Sequence, residues 1–320
     1  MILISILIIL FVCYSILILY YWLSWKVIPD FKITIPATDI SISVIIPARN
    51  EENNIQQLLK ALQQQTYPTS LVEIIVVDDH STDQTANIVR QFSSVKLIQL
   101  KEENINSYKK KAIETGVAAA TGNLIVTTDA DCIPPKEWLQ TIAAFKKEKN
   151  SAFIAAPVVL NCNSSVLQIF QAMDFMILQG ITGASVHKSI HSMCNGANLA
   201  YERKVFYEVN GFSGVDHIAS GDDMLLMHKI WKQHPNRVHY LKSKQAIVTT
   251  QPMQTLKAFF NQRIRWASKA KNYDDKRITA VLVFVYLFNL SFLFLSVAGF
   301  FCYHYWFYLA GLWIAKTLIE

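Results

Sequence analysis

The sequence predicts an α/β domain with a mostly parallel sheet, held between apolar termini. Two observations carry this. Between residues 41 and 150, short β-branched runs alternate with stretches of helical spacing, the pattern of parallel strands joined by crossover helices. Met1–Trp25 and Ile278–Ala315 contain no Asp, Glu, Lys or Arg. The 320 residues are 52% hydrophobic and only 17% charged, below the roughly 25% of soluble domains. The deficit lies in the ends, because apart from Lys316 and Glu320 every charge falls between Lys26 and Arg277. This distribution excludes an ordinary cytosolic protein and a polytopic transporter.

Residues 1–25 read as a membrane-spanning helix. A helix of about 24 residues is about 36 Å long, enough for a hydrocarbon core of about 30 Å. No basic n-region or small-residue cleavage site marks it as a cleaved leader. Residues 278–318 are too long for one span of about 20 residues. They read as a hairpin of two helices, turning near Gly299 and Tyr303–His304. Lys26 and Lys32 after the first span, and Lys269, Lys271, Lys276 and Arg277 before the second, place the middle domain on the cytoplasmic side. The net charge of +6 is thereby explained by a membrane surface, without nucleic acid. The five cysteines show neither disulfide nor metal spacing. His187 and His191 are four apart, but without the Glu of a zinc motif.

Residues 41–250 form the domain proper. Ser41–Pro47 is a buried strand, followed by a helix over Ile55–Leu62. Glu73–Val77 is a second strand, ending in Asp78–Asp83, where Ser81 or Asp83 caps a helix through Phe92. Val95–Leu100 is a third strand, Ser107–Ala120 a helix, and Asn123–Thr128 a fourth strand ending in Asp129-Ala130-Asp131. Pro134-Pro135 opens a helix through Lys147. Phe153–Leu160 is strand-like, and Ser165–Leu178 is an apolar helix carrying Gln168, Gln171 and Asp174. Cys194–Asn198 is a turn before a strand at Leu199–Tyr201, and Gly221 opens a helix through Lys232. Residues 251–277 contain an amphipathic helix suited to a membrane interface. Ligands of parallel sheets bind beyond the carboxyl ends of strands, which is where Asp79 and the Asp129/Asp131 pair fall. Neither G-x-G-x-x-G nor G-x-x-x-x-G-K-[ST] occurs, so a phosphate-bearing ligand needs a metal or basic side chains.

The ordered set SVIIPARNEENNI, IIVVDDHSTDQT, VTTDADCIPP, CNGANLAY, SGDDMLL and QRIRW resembles family 2 glycosyltransferases of the GT-A fold. The likeness is to the membrane-bound branch with cellulose, hyaluronan and poly-N-acetylglucosamine synthases and ceramide glucosyltransferase. It covers residues 41–266. It implies a nucleoside diphosphate sugar donor, UDP-sugar favoured, and a lipid or glycan acceptor at the cytoplasmic membrane face. Asp79 matches the acid that binds the base or ribose, and Asp129 and Asp131 the D-x-D that binds nucleotide and metal. Mg²⁺ or Mn²⁺ is the implied cofactor, with Asp131 the direct ligand. Lys109 matches a phosphate-binding lysine, although Tyr108 replaces the glycine before it. Asp223 matches the general base, with Asp222 beside it on the acceptor side. Gln262, Arg265 and Trp266 share a helix face, Arg265 toward the diphosphate and Gln262 and Trp266 toward the acceptor. The implied reaction is inverting, metal-dependent sugar transfer. A processive polysaccharide synthase and a non-catalytic nucleotide-sugar-binding scaffold are the alternatives.

Overall fold

The computed structural model describes residues 2–102, 106–162, 165–216, 218, 221–268 and 274–320. Lys269, Lys271 and Ser220 of the sequence reading lie outside these residues. Helix α1 (Ile2–Lys26) leads through an extended segment into β1 (Ile42–Ala48), α2 (Ile55–Gln63), β2 (Val72–Asp78), α3 (Thr85–Arg90), β3 (Val95–Gln99), α4 (Tyr108–Ala119) and β4 (Leu124–Thr127). There follow α5 (Trp138–Lys149), β5 (Phe153–Ala155), β6 (Val158–Leu160), α6 (Val166–His187), β7 (Leu199–Glu202), α7 (Arg203–Glu208) and α8 (Asp222–Gln233). The chain ends with β8 (Val238–Tyr240), β9 (Val248–Thr250), α9 (Leu256–Ser268), α10 (Lys276–Gly299) and α11 (His304–Ile319).

The main sheet has the order β3-β2-β1-β4-β7-β5-β8. β7 runs antiparallel to β4 and β5, and the other pairs are parallel. The inner strands β1, β2 and β4 are rich in β-branched residues and largely buried on both faces, as a sheet covered by helices requires. Successive residues alternate faces. Val44, Ile46 and Val76 pack with Leu58, Leu59 and Ile142 of α2 and α5. Ile45, Ile75 and Val77 pack on the other side with Ile113, Val117 and Ile230 of α4 and α8.

The single strand expected over Phe153–Leu160 is two. It breaks around Pro157, which lacks an N–H to donate and whose carbonyl accepts from Val248 N (3.1 Å) and Asn198 Nδ2 (2.8 Å). β5 stays in the main sheet, while β6 pairs with β9 in a second, two-stranded sheet. The helix expected to stop at Leu178 continues to His187, and Gly183 within it serves close packing. A Cβ on Gly183 would stand 2.6 Å from the Trp25 ring and 2.9 Å from Tyr240. α3 is short, and its flanking Gln84 makes no side-chain cap. Instead Asp83 accepts from Thr85 N (2.9 Å), while Ser81 Oγ accepts from Asn50 N (2.9 Å).

Among the described residues, three helical stretches are long and apolar enough to cross a membrane: Leu3–Lys26, Val166–His187 and Lys276–Gly299. α10 and α11 turn back on one another around 300–303, with Gly299 against Trp306. α10 is fastened to the domain at its start. Asp275 caps it, accepting from Arg277 N (3.1 Å), and also accepts from Ser192 N (2.9 Å). Arg277 donates to the Ser189 carbonyl (2.9 Å) and lies over the Trp231 ring of α8, 3.8 Å from its centroid. Hydrogen bonds from Arg277 and Ser192 outweigh desolvation and hold the Asp275 carboxyl well below the carboxylate range.

Candidate active site

The carboxyl ends of β1, β2 and β4 open into a cavity of about 540 Å³, closed on its far side by α6, the strap 251–253 and α9. All nine residues assigned from the sequence line it: Asp79, Lys109, Asp129, Asp131, Asp222, Asp223, Gln262, Arg265 and Trp266. They come from five separate stretches of the chain, so it is the fold that brings them together.

Asp129 and Asp131 follow β4 directly. Lys109, in the first turn of α4, donates to Asp129 Oδ1 (2.6 Å) and stands 3.6 Å from Asp222 Oδ2. Desolvation works against this ammonium, yet the Asp129 and Asp222 carboxylates more than offset it and raise Lys109 above its ordinary range. Asp131 Oδ2 accepts from the Thr250 hydroxyl (3.0 Å). Burial, and then the Asp129 charge, push its carboxyl up. Glu51, which the sequence reading passed over, also lines the cavity. Burial, with further help from Asp131 and Asp129, pushes it up against the hydrogen bond it accepts from Asn54.

Among the described residues no three His, Cys, Asp or Glu side chains form a preformed metal cage. The donor set nevertheless suits a hard divalent cation. Two carboxylates on one tripeptide crowd negative charge, and one of them already holds a cation in the Lys109 ammonium. Metals used in phosphoryl and diphosphate sites are held by one or two carboxylates plus substrate oxygens. Asp129 and Asp131 provide that partial shell.

Asp223 lies at the start of α8, where Gly221 at φ 81° turns the chain into the helix. This left-handed conformation favours glycine. Asp223 Oδ2 accepts from Gly196 N (3.1 Å) and Oδ1 from Met224 N (2.8 Å). Gly196 is hemmed in, since a Cβ there would stand 3.2 Å from Lys109 Nζ and 3.3 Å from Asp222 Oδ2. Lys110, next to Lys109, is buried and donates to the carbonyls of Val215 (2.7 Å) and Ile218 (2.6 Å). It thereby ties α4 to the segment leading into α8.

On α9, Trp266 packs by Phe175 of α6, with ring centroids 6.3 Å apart. Arg263 pairs with Asp174 of α6 and lies 4.6 Å from the Trp266 ring centroid. The other polar residues of α6 hold the strap. Gln171 donates to Met253 O (2.9 Å) and accepts from Met253 N (3.0 Å), and Gln168 donates to Gln254 (3.0 Å). The opposite faces of α6 and α9 expose Phe170, Met173, Ile177, Leu256, Phe260 and Ile264. Phe259 of α9 is buried.

A glycosyl transferase family 2 model matches residues 43–209, just over half of the chain. The chain belongs to this family. It is 30% identical over 234 residues to the probable glycosyltransferase YdaM of Bacillus subtilis, a match covering 71% of the chain and 54% of YdaM. The chain thus spans about half the length of that relative. In structure it resembles the mannosyltransferase PcManGT of Pyrobaculum calidifontis in complex with GDP-Man and Mn²⁺. The TM-score is 0.62 at 21% identity, covering 90% of this chain and 82% of that one. It also resembles Staphylococcus aureus TarS in complex with UDP-GlcNAc, with TM-score 0.50 at 23% identity over 68% and 60% of the two chains. Both likenesses show a shared GT-A fold.

Proposed function

We propose that the chain is an inverting glycosyltransferase, moving a sugar from a nucleoside diphosphate to a lipid-linked or glycan acceptor at the cytoplasmic face of a membrane. The observation that carries this reading is the order of groups along one cavity. Arg49 and Asp79 lie at the ends of β1 and β2, Asp129 and Asp131 at the end of β4, and Asp223 beside Gly196 next to β7. A nucleoside, a diphosphate and a sugar fit that order.

Asp223 is the general base. It takes the proton of the acceptor hydroxyl as that oxygen bonds to the anomeric carbon and the bond to the diphosphate oxygen breaks. Attack opposite the leaving group inverts the anomeric centre. Asp129 and Asp131 would hold Mg²⁺ or Mn²⁺, which when bound neutralises charge on the leaving diphosphate. Arg265 supplies a second cation on the α9 side. Trp266, with Arg263 over its ring, offers a flat face to the acceptor, and Gln262 a hydrogen-bonding group. The apolar outer faces of α6 and α9 support an acceptor that arrives from lipid.

The test is nucleoside diphosphate release by the full chain in detergent with Mn²⁺ or Mg²⁺, a panel of UDP- and GDP-sugars, and a lipid extract as acceptor. Release that depends on donor, acceptor and metal is expected. Asp223→Asn should lower kcat by about 10²–10⁴-fold. Turnover at the wild-type rate in that variant would remove Asp223 from the role.

A further inference from the structure

The two carboxylates of Asp129-Ala130-Asp131 rest on different supports. Asp129 follows β4 of the main sheet and accepts from Lys109. Asp131 is carried by the small sheet. Its Oδ2 accepts from the hydroxyl of Thr250, the last residue of β9, at 3.0 Å. Two residues on, Ile133 exchanges both backbone hydrogen bonds with Thr249, its N–H donating to Thr249 O (2.8 Å) and its carbonyl accepting from Thr249 N (3.0 Å). β9 is itself fixed by its parallel pairing with β6 and by Asn161 N, which donates to Thr250 O (2.8 Å). A hydroxyl has one hydrogen to donate, and Thr250 spends it on Asp131. The other oxygen of that carboxylate, Oδ1, meets the weak thiol donor of Cys132 at 3.5 Å and so keeps lone pairs for a cation.

Directly after Thr250 the chain becomes the strap 251–253, which lines the cavity. The far end of the strap is held by Gln171 of α6, a residue only 1% exposed. Its amide accepts from Met253 N (3.0 Å) and donates to Met253 O (2.9 Å). A buried amide that pairs with both backbone groups of one residue fixes where that residue stands. We infer that Thr250 is a positioning residue for the divalent cation, holding the Asp131 carboxylate ready for it, and that Gln171 acts through Thr250 by setting the strap that leaves β9. The inference rests on the metal-dependent glycosyltransferase reading above. A free carboxylate gives up rotamer freedom when it takes a cation, and one already held by a hydroxyl gives up less. Hydrogen-bonding partners behind a ligand commonly set metal affinity for this reason. Affinity for the cation is thereby governed from β9 and α6, on the acceptor side of the cavity, as well as from β4.

The experiment is a Mn²⁺ titration of the full chain in detergent with UDP or GDP present, free Mn²⁺ being read by electron paramagnetic resonance. Thr250→Val keeps the branched shape that suits a strand and removes the donor. Its Mn²⁺ affinity should fall about 10–100-fold, the scale of losing a hydrogen bond behind a metal ligand. Thr250→Ser, which keeps the hydroxyl, should stay within about threefold of the wild type. Gln171→Met should weaken Mn²⁺ binding by a smaller factor, and should add nothing in the Thr250→Val background, because it acts through that hydroxyl. Melting temperatures confirm folded protein in each case. Undiminished Mn²⁺ affinity in Thr250→Val overturns the inference, as does an affinity in Thr250→Ser as low as in Thr250→Val. Additive losses in the double variant overturn the part given to Gln171. A wild type that takes up no Mn²⁺ with either nucleotide would instead overturn the metal-site reading itself, so the two failures are distinct.

Discussion

Asp131 shows what like charge does at single-residue scale. Its carboxyl is pushed up by burial and by Asp129, so the native state holds that proton more tightly than the unfolded chain does. The stability it contributes is complete below the ordinary aspartate value and is lost as pH rises through the raised one. Near neutral pH, without a divalent cation, Asp131 therefore opposes folding. Asp131→Asn should raise the melting temperature of the metal-free protein by about 2–4 °C while abolishing turnover, and thermal melts with EDTA check this. A lower melting temperature would mean that the Thr250 hydrogen bond outweighs the repulsion. These carboxylates were legible in the sequence because each sits where a β-branched run ends, and strand ends face the site. Glu51 was not legible. It lies among the polar residues after β1, and only the fold shows it turned into the cavity.

At the scale of elements, α6 and α9 work as one wall. Asp174 and Arg263 join them, and Arg263 in turn lies over Trp266. As a half-exposed ion pair it adds little stability, at most about 1 kcal/mol, so its effect should be on geometry. Arg263→Ala is expected to raise the acceptor KM several-fold and leave the donor KM unchanged, as steady-state kinetics with each substrate varied will show. An unchanged acceptor KM would make the pair merely structural. The wall was half legible. The spacing of Gln262, Arg265 and Trp266 showed their common face, since helical periodicity is local. Asp174 and Arg263 are 89 residues apart, and nothing in periodicity joins residues on different helices. The same limit hid the length of α6, since the contact of Trp25 with Gly183 joins segments far apart in the chain. Gly183→Val should cost about 1–3 kcal/mol by overpacking, read as a lower melting temperature in detergent, with α1 displaced from α6.

Across the whole molecule, charge and apolar surface are segregated. The outward sides of α1, α10 and α11 are lined with Ile, Leu, Val, Phe and Trp, while the sheet and its cavity carry the ionic groups. On the reading of α1 and α10 as spans, the chain should stay in the membrane fraction through alkaline carbonate washing. Release into the supernatant would place it on the membrane surface instead. The start of α10 gives this arrangement a mechanical side. Through Asp275 and Arg277 it grips both the segment leading to Gly196 and α8, whose first turn carries Asp223. On the proposed reading, Asp223 is thus hung from two lines moored to one membrane helix. If that helix tilts as the bilayer thins, both lines are drawn together, and bilayer thickness becomes an input to the chemistry. In proteoliposomes of graded acyl-chain length, kcat should then vary with thickness. Arg277→Ala, which cuts the line to Trp231, should flatten that dependence.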